Sequence, residues 1–129
     1  MENLYIPATK YTPEISLNAE KGIIEIRGKS YPENTFDFYE PVLKWIEEYF
    51  NCCAKDNTVV NFEIIYFNSS SSKVLFDLFD ILQEAKEKNN ITINWIYDEE
   101  NESAEEAGED FKEDFPELNI NLIKKSEEE

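Results

Sequence analysis

The residues best suited to chemistry form a run of four serines, Ser69 to Ser72, followed by Lys73. The run separates a nearly continuous apolar segment, 58–67, from a stripe of apolar residues at helical spacing, 74–85. The hydroxyls therefore stand where a central strand ends and a helix begins, which is the ligand side of an open α/β sheet. One serine that caps the helix explains part of this pattern, and from the residues alone that structural role is the simpler interpretation.

A hydroxyl in this run is better suited to accept a group than to attack one. The chain contains no histidine, which removes Ser-His-Asp and Cys-His nucleophile arrangements, histidine bases and histidine-ligated zinc. Lys73 lies on the exposed first turn of the predicted helix and should stay protonated, so it is a poor base for a serine. A phosphoryl group accepted here would add about −1.5 to −2 charge next to free helix N–H groups and change the fit to a partner.

The acidic segment from Glu102 to Asp114 and the adjacent Cys52 and Cys53 are the other candidates for chemistry. Carboxylates spaced i,i+3 and i,i+4 can bind a divalent metal, but a solvated helix face explains the segment more simply, so we predict no metal and no cofactor. Neighbouring cysteines pair poorly in a disulfide. We predict two reduced cysteines at a helix end, as is usual in the cytoplasm.

The charge of the chain limits its partners. It carries 12 Lys+Arg against 29 Asp+Glu, a formal net charge of −17. This balance argues against nucleic acid, whose phosphates need a basic face, and against an anionic membrane surface. No apolar run approaches the roughly 20 residues of a membrane span, and the first residues do not resemble a secretory signal, so we expect a cytoplasmic protein.

The elements that must position the serines follow from the hydrophobic spacing. Segments 14–18 and 23–28 alternate in polarity and predict a β-hairpin that turns at Gly22. The segment Leu4–Ile6 predicts a short extended piece. Apolar residues at helical spacing then predict a helix whose first turn contains Pro41.

The second half of the chain alternates strands and helices. Segment 58–67 predicts a central strand buried on both faces, and 91–97 predicts the strand that follows the serine-led helix. An acidic helix capped by Ser103 and extending to about Asp114 comes next, followed by an edge strand over 118–123. A strand–helix–strand pair of this kind is a right-handed parallel crossover.

These elements predict a single α/β domain over 1–123. It consists of a mixed sheet of about five strands with an N-terminal β-hairpin and about three helices. Residues 124–129 predict a charged, frayed tail.

Three segments resemble the SiaC-type bacterial regulatory phosphoproteins: TPEI at 12–15, GKSYPEN at 28–34 and YFNSSSSK at 66–73. The resemblance runs from Leu4 to about Leu122, and the SYPEN stretch is its most specific piece. The layout is also similar to STAS domains, the anti-sigma-factor-antagonist fold, in which a phosphorylatable serine or threonine opens the helix after a central strand. The resemblance therefore implies a STAS-like fold and favours a switch over a cap for the serine run.

The resemblance implies a protein that is not an enzyme but the substrate of a dedicated Ser/Thr kinase and of a metal-dependent Ser/Thr phosphatase. In SiaC-type proteins the unphosphorylated form binds and activates a diguanylate cyclase, which raises cyclic di-GMP, and phosphorylation blocks that binding. The family's modified residue is a threonine directly after the asparagine of the strand-end motif. The matching position here is Ser69, with Ser70 in reserve. The predicted partner surface joins a loop to the start of the helix: Tyr31, Pro32, Glu33, Asn34, Asn68, Ser71, Ser72 and Lys73.

Two other functions remain open at this point. An anti-sigma factor antagonist would use the same kind of switch but bind an anti-sigma factor, so the protein that co-purifies distinguishes the two. An acidic inhibitor that mimics nucleic acid or a substrate would bind through bulk charge. Its binding would collapse in salt and would be indifferent to Ser69.

Overall fold

The computed structural model describes residues 1–126 and builds a mixed six-stranded sheet with three helices. In chain order the elements are β1 (Leu4–Ile6), β2 (Glu14–Asn18), β3 (Ile23–Ser30), α1 (Thr35–Cys52), β4 (Asn57–Phe67), α2 (Ser69–Ala85), β5 (Asn90–Asp98), α3 (Glu102–Asp114) and β6 (Asn119–Lys125). The predicted α/β class is confirmed. The short extended piece at the start is a sixth strand, because β1 pairs with β2.

The strands lie in the sheet in their sequence order. The pairs β1–β2 and β2–β3 are antiparallel, whereas β3 to β6 are parallel to one another. Each parallel connection passes through one helix. Because such crossovers are right-handed as a rule, successive crossovers that advance in one direction place all three helices on the same face. The carboxyl ends of the four parallel strands therefore meet at one edge of the sheet, next to the N-termini of the helices that follow them.

The helices cover only one face of the sheet. Burial alternates along β4, and its fully buried side chains face the helices: Val60, Phe62 and Ile64. Asn61 and Glu63, between them, are only half-buried, so the prediction that this strand is buried on both faces is wrong. On the open face Asn61 Nδ2 donates to Glu25 (3.1 Å) and Glu63 pairs with Arg27 (2.6 Å). On this face the polar side chains form hydrogen bonds and ion pairs with one another, and within the described residues no second layer of helices covers them.

The predicted hairpin between β2 and β3 is confirmed, and it turns at Gly22. Gly22 has a φ of 68°, and a Cβ there would lie 3.0 Å from the carbonyl oxygen of Asn57. Both the left-handed conformation and the close approach require glycine. Gly22 N donates to Asn18 O (2.9 Å), which closes the turn and sets the register of the two strands.

Helix α1 begins earlier than predicted. Asn34 caps it: its Oδ1 accepts a hydrogen bond from Asp37 N (3.1 Å), so the helix starts at Thr35. Pro41 consequently lies inside the helix, and its prediction in the first turn is wrong. Because Pro41 is exposed, water can satisfy the carbonyl that its missing N–H leaves without a donor.

Helix α3 also begins behind an asparagine. Asn101 Oδ1 accepts a hydrogen bond from Ala104 N (3.1 Å), so the prediction of Ser103 as the cap is wrong. Asparagine and serine are comparable N-caps. Here the cap is Asn101, which directly follows the turn after β5. The predicted end of the helix at Asp114 is confirmed.

Cys52 and Cys53 are joined by a disulfide bond at the end of α1. The expectation of two free thiols is therefore wrong. Cys53 is the C-cap and has left the helical conformation, with φ −140° and ψ 14°. This change of backbone direction lets neighbouring side chains converge.

The last strand is longer than predicted at its carboxyl end. β6 continues to Lys125, so the first two residues of the predicted tail, 124–129, belong to the sheet. Residues 127–129 lie outside the described residues. Within the described part of the chain, no helix combines the length and apolar character needed to cross a membrane.

Candidate functional site

The serine run and the loop after β3 meet at one edge of the sheet. Because β3 and β4 are parallel, their carboxyl ends lie side by side. Asn68 N donates a hydrogen bond to Ser30 O (3.1 Å), which joins the two segments directly. We call this region, residues 30–34 and 66–73, the β3–β4 edge.

Helix α2 begins at Ser69 because Asn68 caps it. Asn68 is extended, with φ −87° and ψ 178°, and its Oδ1 accepts a hydrogen bond from Ser71 N (2.9 Å). The N-cap of α2 is therefore Asn68, and not one of the serines as the sequence suggested. Ser69, the first helical residue, and Ser70 are both exposed, so their hydroxyls are accessible to another protein.

Ser71 has the opposite environment and is 0% exposed. Its Oγ donates to Ser30 O (3.0 Å) and accepts from Ser30 Oγ (2.8 Å). Because Ser30 gives its proton to Ser71, the buried Tyr39 hydroxyl donates to Ser30 Oγ. Burial raises the pKa of Tyr39 to about 12, so the phenol keeps the proton it donates. The hydrogen bonds among these three hydroxyls connect the end of β3 to Tyr39 on α1 and to Ser71 on α2.

The positive end of α2 is not balanced by a carboxylate in its own first turn. Residues 69–72 are all serine, whereas the first turns of α1 and α3 carry Asp37 and Glu102. A helix N-terminus carries about half a positive unit charge. Lys73 is exposed four residues after Ser69 and so lies near it on the helix surface. An anion on Ser69 would meet free N–H groups and an ammonium group.

The residues predicted to contact a partner share the β3–β4 edge but differ in exposure. Glu33, Asn34 and Lys73 are exposed, Tyr31, Asn68 and Ser72 are half-buried, and Pro32 and Ser71 are buried. A partner can reach the side chains of the first two groups. The buried pair supports the surface from below.

A β-bulge at this edge exposes Tyr66 together with Ile65, which the sequence did not assign to the site. The register of β3 and β4 steps from Gly28–Ile64 to Lys29–Tyr66, so Ile65 is an extra residue on β4. Ile65 is 56% exposed and Tyr66 54% exposed, although a regular strand would turn one of them inward. The available signal was an apolar run that continues to the strand end without alternation.

Tyr66 belongs to a row of three tyrosines. The Tyr31 ring centroid lies 5.7 Å from that of Tyr66 and 5.4 Å from that of Tyr11, and both pairs are edge-to-face. Tyr31 N also donates to Tyr11 O (2.8 Å). We call these three residues the tyrosine strip. The sequence did not predict this grouping, because Tyr11 and Tyr66 meet Tyr31 only in the folded chain.

The acidic residues of α3 do not converge on a centre. Among the described residues, no group of three or more His, Cys, Asp or Glu side chains is placed to hold a metal ion. Most carboxylates of α3 are exposed along its outer side: Glu102, Glu106, Glu109, Asp110, Glu113 and Asp114. This is the arrangement of a solvated helix face.

Comparisons with known proteins agree over nearly the whole chain. A family profile described as SiaC family regulatory phosphoprotein matches residues 6–125. The uncharacterized protein PA14_02130 of Pseudomonas aeruginosa (strain UCBPP-PA14) is 34% identical over 119 residues, which is 90% of this chain and 94% of that protein.

Solved structures of SiaC from Pseudomonas aeruginosa share the fold. Apo-SiaC superposes with a TM-score of 0.84 at 29% identity, covering 97% of this chain and 99% of that one. SiaC in complex with the diguanylate cyclase SiaD, described there as its activator, superposes with a TM-score of 0.83 at 30% identity, covering 95% and 98%. Together with the family match, these likenesses lead to one conclusion: this chain belongs to the SiaC family of regulatory phosphoproteins.

Proposed function

We propose that this chain is a non-enzymatic partner switch whose unphosphorylated form binds and activates a diguanylate cyclase. Phosphorylation of Ser69 releases the cyclase and so lowers cyclic di-GMP. The observation that carries the proposal is the position of Ser69, exposed at the first residue of α2 and directly after the cap Asn68. The complex of the similar SiaC with the cyclase SiaD supports this class of effector.

The environments of the serines favour Ser69 as the acceptor. Ser71 is buried and hydrogen-bonded on both sides to Ser30, so a kinase cannot reach it without opening the edge. Ser70 shares the exposure of Ser69 and is the reserve acceptor. Ser69 alone occupies the position directly after the asparagine, where the family resemblance places the modified threonine.

A phosphate on Ser69 acts through charge. It adds about −1.5 to −2 charge at the start of α2 and attracts the free N–H groups and Lys73. An effector that presents carboxylates or apolar side chains to this edge is repelled, or must leave a dianion desolvated. The hydrogen bonds of Ser71 keep the backbone beneath in place, so the switch does not require a change of fold.

The other proposed partners are a Ser/Thr kinase and a metal-dependent Ser/Thr phosphatase, which share the edge with the effector and so exclude it and one another. The metal belongs to the phosphatase, and this chain takes no cofactor. An enzymatic role is disfavoured because the sequence has no histidine, and its glycines, Gly22, Gly28 and Gly108, do not form a phosphate-binding loop. We place the chain in the cytoplasm, with neither nucleic acid nor membrane as a partner.

The first test locates the phosphate. The wild-type chain and its Ser69→Ala and Ser70→Ala variants are incubated with the kinase and ATP and weighed by intact-protein mass spectrometry. Wild type and Ser70→Ala should each gain one phosphate, and Ser69→Ala should gain none. An undiminished phosphate on Ser69→Ala contradicts the assignment, and a loss confined to Ser70→Ala moves it to the reserve residue.

The second test measures the consequence for binding. Ser69→Asp should weaken the affinity for the cyclase by about tenfold, or ~1.4 kcal/mol, as measured by calorimetry. Ser103→Asp is the matched control, because it adds the same charge to an exposed residue in the first turn of α3. Equal affinities of Ser69→Asp and wild type contradict the switch.

A further inference from the structure

The tyrosine strip, Tyr11, Tyr31 and Tyr66, is the centre of an exposed apolar patch. Tyr11 is 51% exposed, and Ile65 beside Tyr66 and Phe36 at the start of α1 are more exposed still. Ile65 directly precedes the 66–73 part of the β3–β4 edge, and Phe36 lies two residues after its 30–34 part. Contiguous apolar patches of this kind on a folded surface mark sites of interaction.

The three segments that form the tyrosine strip carry more basic than acidic side chains, unlike the chain as a whole. These segments, 9–12, 28–34 and 65–73, contain three lysines but one acidic residue, Glu33. The chain as a whole has 29 acidic and 12 basic residues. The lysines are all exposed: Lys10, Lys29 and Lys73. Lys10 Nζ lies 5.8 Å from the centroid of the Tyr11 ring.

We propose that the tyrosine strip and its lysines dock an acidic segment of the effector that also carries aliphatic side chains. The carboxylates pair with the lysines, and the aliphatic side chains pack on the tyrosine rings. This inference rests on the proposed function and adds to it the docking residues and the chemistry of the partner.

The physical basis is a local match within an unfavourable overall charge. At physiological ionic strength the Debye length is about 8 Å, so the charges that lie nearest a docked segment dominate its electrostatic interaction. Among those charges, the three lysines attract the carboxylates of the docked segment. Tyrosine is enriched among the residues that dominate binding energy, because it supplies a large rigid surface with a polar end.

The same charge count explains why one phosphate is enough to end docking. The three segments carry two more positive than negative side chains. A phosphate on Ser69 adds about −1.5 to −2 charge, which cancels that excess. It also competes for Lys73, four residues along the same helix. Docking is therefore lost without a structural change in the strip.

The test uses the full isotope-labelled chain and a synthetic helical peptide with leucine on one face and glutamate on the other. Amide chemical shifts recorded in physiological salt should change in segments 9–12, 28–34 and 65–73. Tyr66→Ala should weaken peptide binding by about tenfold, the effect of losing a central aromatic contact. Tyr5→Ala, which removes a tyrosine 60% exposed on β1, should leave it unchanged.

A pair of charge variants separates the lysines of the strip from the general charge of the protein. Lys73→Glu should weaken the acidic peptide several-fold. Lys44→Glu makes the same change on the outer side of α1, where the side chain is 77% exposed, and should have no effect. A peptide with lysine in place of glutamate should shift residues of acidic α3 rather than the strip.

Three results overturn the proposal: no binding of the acidic peptide, shifts outside the three segments, or equal losses in Tyr66→Ala and Tyr5→Ala. Single-stranded oligothymidylate serves as a further probe, and its binding to the strip in preference to the peptide assigns the tyrosines to nucleic acid instead. Because the experiment contains neither kinase nor cyclase, its failure leaves the phosphorylation of Ser69 standing. Failure of the Ser69→Ala test likewise leaves the peptide result standing.

Discussion

The starts of α2 and α3 are built alike and charged differently. Each helix follows a parallel strand, and an asparagine Oδ1 accepts a hydrogen bond from the N–H three residues on: Asn68 from Ser71 (2.9 Å) and Asn101 from Ala104 (3.1 Å). In both helices that third residue is buried. Directly after the cap comes Ser69 in α2 and Glu102 in α3.

The difference shows how an ordinary helix start becomes suited to a switch. In α3 the carboxylate of Glu102 permanently balances the positive end of the helix. In α2 the same position holds a hydroxyl, which is uncharged and would gain negative charge only through the proposed phosphorylation. Since α3 accommodates an anion at this position without distortion, we expect a phosphate on Ser69 to change the surface of α2 and not its fold.

The largest effect on stability is expected at the buried third residue. Ser71→Ala removes the acceptor of Ser30 Oγ and one donor to Ser30 O, so it should lower the free energy of unfolding by about 1–3 kcal/mol. Urea denaturation measures this change. Ser70→Ala, at an exposed neighbour, is the control and should cost less than about 0.5 kcal/mol. Equal stabilities of the two variants contradict the stabilising role of the hydrogen bonds between Ser71 and Ser30.

The caps should contribute about equally if the two starts are built alike. Asn68→Ala and Asn101→Ala should each lower the free energy of unfolding by about 1 kcal/mol, the usual loss of an N-cap. The same denaturation experiment compares them. A loss confined to Asn101→Ala shows that Asn68 does not stabilise α2, so the two helix starts are not built alike.

A smaller effect is expected from exchanging the residues that follow the caps. Ser69→Asp should raise the free energy of unfolding by about 0.3–1 kcal/mol, and Glu102→Ser should lower it by a similar amount, because each changes the charge at a positive helix end. Both effects should shrink in high salt. A destabilising Ser69→Asp contradicts the claim that α2 accepts an anion there.

The smallest effect is expected from the disulfide. Cys52 and Cys53 lie at the end of the 18-residue helix α1, about 27 Å from its start beside the β3–β4 edge at 1.5 Å per residue. Reduction with dithiothreitol should therefore leave the affinity for the cyclase unchanged within error in calorimetry. A clear change in affinity on reduction would show that the disulfide end of α1 influences the binding edge, which contradicts this prediction.

Much of the fold was accessible from local patterns in the sequence. The hairpin at Gly22, the central strand, the three helices and the helix start at the serine run follow from periodicity and turn residues, whereas the proposal of Ser69 as acceptor rests on the family resemblance. Helix starts were harder, because asparagine and serine compete as caps. Asn34 and Asn101 are the N-caps of α1 and α3, so both helices begin earlier than predicted.

The rest of the site depends on contacts between distant segments. The direction of Ser71 is fixed only once Asn68 sets the first turn of α2, and its partner Ser30 comes from another strand. Tyr11 and Tyr66 each pair with Tyr31, and these contacts form only once the sheet and the bulge at Ile65 are in place. Periodicity describes one element at a time, so it cannot place such contacts.

Whether Ser69 is the switch is decided by the affinity of the cyclase for the chain phosphorylated at Ser69 alone, compared with its affinity for the unmodified chain. Both forms are titrated into the cyclase by calorimetry under the same salt conditions, with the site and stoichiometry of the phosphate verified by mass spectrometry. The phosphorylated chain should bind at least about tenfold more weakly, since the dianion opposes acidic and apolar contacts. Equal affinities of the two forms contradict the switch.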